Sequence, residues 1–141
     1  MREIFADTGY WIAMTIYTDE LHEVASTLSS QLRSHRVVTT EAVLIEVLDH
    51  ASKLGPYWRR LAADIVQSVV KGSLSEVLPQ TSDLFANAIS LYVSRLDQRW
   101  GLTDCISFVV MRERGITQAL AYDRDFEQAG FTALLRNPDA L

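Results

Sequence analysis

The chain has 141 residues, 48% hydrophobic and 22% charged, with 13 basic against 18 acidic side chains for a formal net charge of −5. That size suits one domain, residues 1–141, with a real core. The acidic balance does not point to a nucleic-acid binder working by bulk electrostatics, and, since four acids gathered on cations would bring the chain near neutrality, it leaves the partner undecided. No apolar run nears the ~20 residues that cross a bilayer, and Met1-Arg2-Glu3-Ile4 lacks a signal-peptide pattern, so no membrane role and a cytoplasmic setting are expected.

Residues 3–6 are β-prone and end at Asp7, where Thr8-Gly9-Tyr10-Trp11 leads into an apolar segment, 12–16. An aspartate at that junction either caps a helix or faces a site. A second helix is expected over about 20–33, with Leu21, Val24, Ala25, Leu28 and Leu32 at helical spacing. His22 and His35 flank it, and with no second histidine or cysteine at ligand spacing they read as surface residues. The next strand, 36–40, runs directly into helix-like sequence over 41–50. There Glu46 interrupts an apolar run of Val43, Leu44, Ile45, Val47 and Leu48, an expensive place for a carboxylate without a partner. Glu41 and Asp49 fit an exposed face and Glu46 does not. His50 follows Glu46 by four residues, but no HExxH zinc signature is present.

Gly55-Pro56 stops that helix, and 57–71 is amphipathic, with Trp58, Leu61, Ile65, Val66 and Val69 opposite Arg59, Arg60, Asp64 and Gln67. A short strand at 75–78 precedes Pro79. Ser82 or Asp83 is expected to cap a helix over 84–98, with Phe85, Ala88, Ile89, Tyr92 and Leu96 as its buried stripe. Thr103 and Asp104 then open a largely buried helix carrying Ile106, Phe108, Val109, Val110 and Met111, and Gly115 is its natural C-cap after Arg112 and Arg114. Cys105, the lone cysteine, reads as a buried, inert thiol in a reducing compartment. A buried strand over 116–122 spills into Asp123-Arg124-Asp125-Phe126, and 131–135 forms a last edge strand. Strands alternating with helices predict a mainly parallel sheet of about five strands between helix layers.

Four acids stand out by position: Asp7 and Asp123 end strands, Asp104 opens a buried helix, and Glu46 breaks an apolar helical run. In a parallel sheet those places share one edge, the rim where ligands bind. Two carboxylates about 5 Å apart repel by roughly 3 kcal/mol at an effective dielectric near 20, so such a cluster calls for a cation. An all-oxygen donor set suits Mg²⁺ or Mn²⁺ rather than zinc, and the matching chemistry is hydrolysis of a phosphodiester.

The chain also resembles the PIN domain family, most of all its single-domain toxin ribonucleases of the VapC type. The likeness rests on Ile4-Phe5-Ala6-Asp7-Thr8, Val38-Thr39-Thr40 leading to Leu44-Ile45-Glu46, Leu102-Thr103-Asp104-Cys105-Ile106-Ser107-Phe108, and Ala119-Leu120-Ala121-Tyr122-Asp123-Arg124-Asp125-Phe126. The resemblance implies a three-layer α/β/α sandwich in which Asp7, Glu46, Asp104 and Asp123 hold one or two Mg²⁺ or Mn²⁺ ions. It implies supporting roles for Thr8 and Ser107, with Thr103 a further candidate. Asp125 either reaches a metal through water or caps the turn to Phe126. The family also implies an RNA substrate, a homodimer and a small antitoxin that blocks the cleft. Arg59 and Arg60, or Arg95 and Arg99, are candidates to meet RNA phosphates, against the simpler reading as solvated helix faces. Trp58, Trp11 and Tyr10 are candidates for a partner surface, against a place in the core. Two rivals remain: a catalytically silent PIN scaffold that binds protein or RNA, and another Mg²⁺-dependent phosphohydrolase. Asp7-Thr8-Gly9 lacks the second acid of a DxD motif, and no GxxxxGK[ST] loop occurs.

Overall fold

A computed structural model describes residues 1–141. Five strands, β1 (Arg2–Ala6), β2 (His35–Thr40), β3 (Ser75–Leu78), β4 (Gln118–Leu120) and β5 (Thr132–Ala133), form one sheet in the order β3-β2-β1-β4-β5. Every pair is parallel. Between them run α1 (Thr8–Thr15), α2 (His22–Ser30), α3 (Glu41–Ala51), α4 (Pro56–Lys71), α5 (Ser82–Ser94), α6 (Leu102–Arg114) and α7 (Arg124–Gln128). Right-handed crossovers put the helices linking β1, β2 and β3 on one face and those linking β3, β4 and β5 on the other. The packing agrees: α1 lies on α2 and α3, α3 on α4, and α5 on α6. The result is a three-layer α/β/α sandwich.

The core is continuous across the sheet. Ile4, Phe5 and Val38 from the strands and Val43, Val47, Phe108 and Met111 from the helices are fully or almost fully buried. Phe108 sits in edge-to-face contact with both Trp100 and Phe126, at 5.0 and 4.9 Å between ring centres. That contact fixes α6 against α7. Gly115 ends α6 in the left-handed region at φ 67, a conformation that favours glycine, and Cys105 is buried.

Several sequence expectations shift. The helix expected over 20–33 covers only His22–Ser30, and β4 and β5 are shorter than the apolar runs that contain them. Thr81, not Ser82 or Asp83, caps α5, accepting from the Leu84 amide at 3.1 Å. The larger correction lies on α5 itself. Phe85, Ile89, Tyr92 and Leu96 are exposed, Leu96 by 83%, and of the expected stripe only Ala88 is buried. The helix packs instead through Leu84, Ala88 and Leu91, a second apolar row at the same spacing. His22 is half-buried, its Nδ1 2.7 Å from the Ala13 carbonyl oxygen, rather than a free surface residue. Tyr10 and Trp11 belong to the core, whereas Trp58 packs against Tyr17 and Tyr57.

At the amino edge of the sheet, charge is balanced side chain by side chain. Arg114 grips Glu3 at 3.1 and 2.9 Å and Glu76 at 2.9 and 2.9 Å. Arg36 adds a contact to Glu76 at 3.4 Å. Hydrogen bonding from Arg114 holds the Glu76 carboxyl below its ordinary range, and the same bond raises the Arg114 guanidinium. This clamp ties β1, β3 and the end of α6 together.

Candidate metal centre

The connections that leave β1 and β4 run in opposite directions, so a crevice opens between them at their carboxyl ends. Asp7 follows β1 there, and Asp123 follows β4. The Asp7 amide donates to the Leu120 carbonyl at 3.1 Å, extending the β1–β4 ladder one residue past β1 and fixing where that aspartate sits. From β2, Thr39 donates its hydroxyl to the Ala6 carbonyl at 2.8 Å and accepts from the Trp11 indole at 3.3 Å. Thr40 caps α3 through the Val43 amide at 3.1 Å, which aims the first turns of that helix at the same crevice.

Five carboxylates meet at this rim. Carboxylate oxygens of Asp104, Asp123 and Asp125 lie within 4.8 Å of one another. Asp7 is buried below them, 8% exposed, and its carboxyl is pushed up to about 8, first by burial and then by the charges of Asp104, Glu46 and Asp123. Asp104 is pushed up to about 7, by burial first and then by Asp123, Asp125 and Glu46. Burial and the charge of Asp123 also raise Asp125. No arginine, lysine or histidine forms an ion pair with any of the five. Neutral protons or an outside cation are the two ways to relieve that repulsion. An all-oxygen donor set favours a hard divalent cation, so the residues fit the ion they would hold.

Neighbouring donors aim two of these carboxylates. The Thr8 hydroxyl donates to Glu46 Oε1 at 2.7 Å, joining α1 to α3. The Asp125 amide donates to Asp123 Oδ1 at 3.0 Å. Asp123 is therefore the cap of the turn to Phe126, and Asp125 is free of that task, its carboxylate turned toward Asp104. Asp7 occupies the N-cap position of α1 without capping it through its side chain. α6 begins one residue earlier than expected, at Leu102 with Gly101 as N-cap, so Asp104 stands in the third helical position. From there the Gly101 amide faces back toward its carboxylate and opposes part of the upward shift. Spacing of this kind is the reciprocal half of a capping box, legible in Gly101-Leu102-Thr103-Asp104.

Glu46 differs from expectation in one respect. The residue is exposed, on a face that also shows Ile45 and Leu48. Its carboxylate nonetheless turns into the crevice, as the Thr8 bond and its effect on Asp7 and Asp104 require. Ser107 does not touch a carboxylate: its hydroxyl donates to the Thr103 carbonyl at 3.1 Å, back along its own helix. Of the four candidate arginines, Arg95 is held by Asp97 at 3.0 and 3.0 Å, and Arg60 pairs with Asp64 at 3.5 Å. Arg99 forms no ion pair, and its charge is felt at Asp125, which places it beside the rim.

The sequence family described as PIN domain matches residues 4–132. The chain belongs to the PIN domain family. It is similar to a Mycobacterium tuberculosis protein, the 23S rRNA-specific endonuclease VapC20, with 30% identity over 128 residues, 91% of this chain and 95% of that protein. The relative is found with the same identity and coverage in two strains of that organism. The crystal structure of M. tuberculosis VapC20, a sarcin-ricin loop cleaving toxin, matches with a TM-score of 0.83 at 29% identity, over 92% of this chain and 97% of that one. The α/β/α architecture and the parallel order of the strands are thus those of the family.

Proposed function

We propose that this PIN domain is a divalent-metal-dependent endoribonuclease and the toxin half of a toxin–antitoxin pair. The observation that carries the reading is the unneutralised carboxylate cluster at the β1–β4 crevice, in a fold shared with a known RNA-cutting toxin. Asp104, Asp123 and Asp125 would hold Mg²⁺ or Mn²⁺, with Asp7 and Glu46 completing the acidic wall. A cation bound there supplies neutralisation of the charge that builds on a phosphodiester under attack.

The chain's own part is positioning. The Thr8 hydroxyl holds Glu46 through Oε1, and the Asp125 amide holds Asp123 through Oδ1, so both carboxylates are oriented before any ligand arrives and each keeps its second oxygen free of these bonds. Asp7 is the buried member of the group, its backbone held to Leu120 at the end of β1. Its carboxyl is pushed up to about 8 by burial and by the neighbouring acids, and a cation held at the crevice would favour its ionised form. Arg99, free of carboxylate partners and close to Asp125, is the cation best placed to meet an RNA phosphate at the rim.

The first substrate to test is 23S rRNA, on which VapC20 acts. Incubation of the purified protein with that RNA and Mg²⁺ or Mn²⁺ is expected to give one dominant cut, absent with chelator and absent in Asp104→Asn. Intact RNA under all conditions contradicts the assignment. No helix is long and apolar enough to cross a membrane. The proposed RNA target is what supports a cytoplasmic activity. Phe85, Ile89 and Val93 leave an uncovered apolar row on α5, the surface we assign to a protein partner, whether an antitoxin or a second copy. Solution mass, alone and with a co-expressed antitoxin, tests that assignment.

A further inference from the structure

Asp123 and Asp125 reach the crevice on the segment that leaves β4 and enters α7, beyond the last paired residues of the sheet. What holds that segment is a succession of bonds, one for each carbonyl. The Leu134 amide donates to the Ala119 carbonyl at 2.9 Å, the Asp7 amide to Leu120 at 3.1 Å, and the Leu135 amide to Ala121 at 3.0 Å. At Tyr122 the pattern changes. The chain after Leu135 has turned back, its Arg136 and Asn137 amides both donating to the Ala133 carbonyl at 3.1 Å, so neither continues the series. The Tyr122 carbonyl accepts instead from Nε of the Arg136 side chain.

Arg136 is held from two further sides. Its guanidinium lies over the Tyr122 ring, 4.2 Å from the ring centre, and reaches Glu127 of α7 at 4.0 Å. Only 24% of the side chain is exposed. One group thus grips both the backbone and the ring of a single residue, a task for a planar guanidinium with a directed Nε–H. The Tyr122 carbonyl shares a rigid peptide plane with the Asp123 amide, so fixing that oxygen fixes the direction in which the chain enters Asp123. Asp123 in turn accepts from the Asp125 amide at 3.0 Å. Arg136 itself makes neither an ion pair nor a hydrogen bond with any of the five crevice carboxylates.

We infer that Arg136 is a positioning residue for the acidic crevice: through the Tyr122 carbonyl it sets where Asp123 stands, with Asp125 beside it, and so how tightly a divalent cation is held. The effect on metal rests on the cation-site reading, whereas the placing of the segment is measurable without metal. Arg114 makes a useful contrast. It forms more ion pairs than Arg136, but its partners are Glu3 and Glu76, away from the crevice.

In the metal-free protein, Arg136→Ala is expected to shift the amide resonances of Asp123 and Asp125 while those of Glu3 and Glu76 stay in place. Mn²⁺ binding, followed by calorimetry, should weaken by about tenfold to a hundredfold. Arg136→Lys keeps the charge but neither Nε nor the flat face, and should lose nearly as much; it carries the test if the alanine variant fails to fold. Glu127→Gln leaves the carbonyl bond and the stack in place and should match the native protein. Arg114→Ala is the stability control, expected to unfold at lower temperature with Mn²⁺ affinity unchanged. RNA cleavage by Arg136→Ala should fall at limiting Mn²⁺ and recover in excess Mn²⁺. Native Mn²⁺ affinity in the alanine or the lysine variant overturns the inference. So does an equal loss in Arg114→Ala, because the arginine would then act through general stability. Weaker Mn²⁺ binding in Arg136→Ala, with RNA left intact by every form of the protein, removes the nuclease reading and leaves this one. Cleavage and Mn²⁺ binding both undiminished in Arg136→Ala do the reverse.

Discussion

The two ends of the sheet handle acidic side chains in opposite ways. At the amino end, Glu3 and Glu76 are gripped by Arg114, with Arg36 beside them, and Glu76 is held below its ordinary range. At the carboxyl end, Asp7, Glu46, Asp104, Asp123 and Asp125 share a crevice without one ion-paired base, and burial pushes Asp7 and Asp104 upward. The same chain can pair an acid when pairing serves the fold. The five left unpaired at the topological switch point are the feature on which the proposed cation site rests.

The largest effect is expected from disarming the carboxyl end. Asp104→Asn or Asp123→Asn should cut RNA cleavage by roughly a hundredfold to a thousandfold, while thermal unfolding of the metal-free protein holds steady or improves. Glu3→Gln at the other end should leave cleavage unchanged, and equal losses from both substitutions would erase the distinction between the two ends.

Asp7→Asn sharpens it through pH. The Asp7 carboxyl lies near 8 in the fold against an ordinary 3.8, so between those values the folded chain holds a proton that the unfolded chain has released. Stability of the metal-free protein should therefore fall as pH rises from about 4 to about 8, by up to roughly 1.4 kcal/mol per pH unit for this group. In Asp7→Asn that decline should flatten, raising the unfolding temperature near pH 8 and leaving it unchanged near pH 4. At the amino end, Arg114→Ala is expected to cost about 1–2 kcal/mol, discounted for the partial exposure of the clamp, with cleavage intact. Smallest of all, Thr8→Val frees Glu46 and should weaken Mn²⁺ binding by about tenfold, measured by calorimetry.

Much of the carboxyl end could be read from residues alone, because an acid at a strand end or within an apolar helical run is conspicuous. Asp7, Glu46, Asp104 and Asp123 do converge, and Asp125 joins them. The amino-end clamp had no such signal: Arg114 sits where a helix-terminal cation is ordinary, and its partners are 111 and 38 residues away. The covered side of α5 was misread for a related reason. Its apolar residues fill two helical rows, Leu84-Ala88-Leu91 and Phe85-Ile89-Tyr92, and periodicity cannot say which row meets α6. Ser107 looked like support for the acids because of its place in the motif, yet a hydroxyl inside a helix can satisfy itself on the carbonyl four residues back.

Calorimetric titration of Mn²⁺ into the metal-free protein near neutral pH, repeated in buffers of different ionisation heat, asks most directly what the unpaired acids are for. Saturable binding that releases protons from the Asp7 and Asp104 carboxyls, raises the unfolding temperature and vanishes in an Asp104→Asn/Asp123→Asn double variant is the expected result. Absence of binding, or binding of equal strength in the double variant with no protons released, would contradict the cation's role in gathering these side chains.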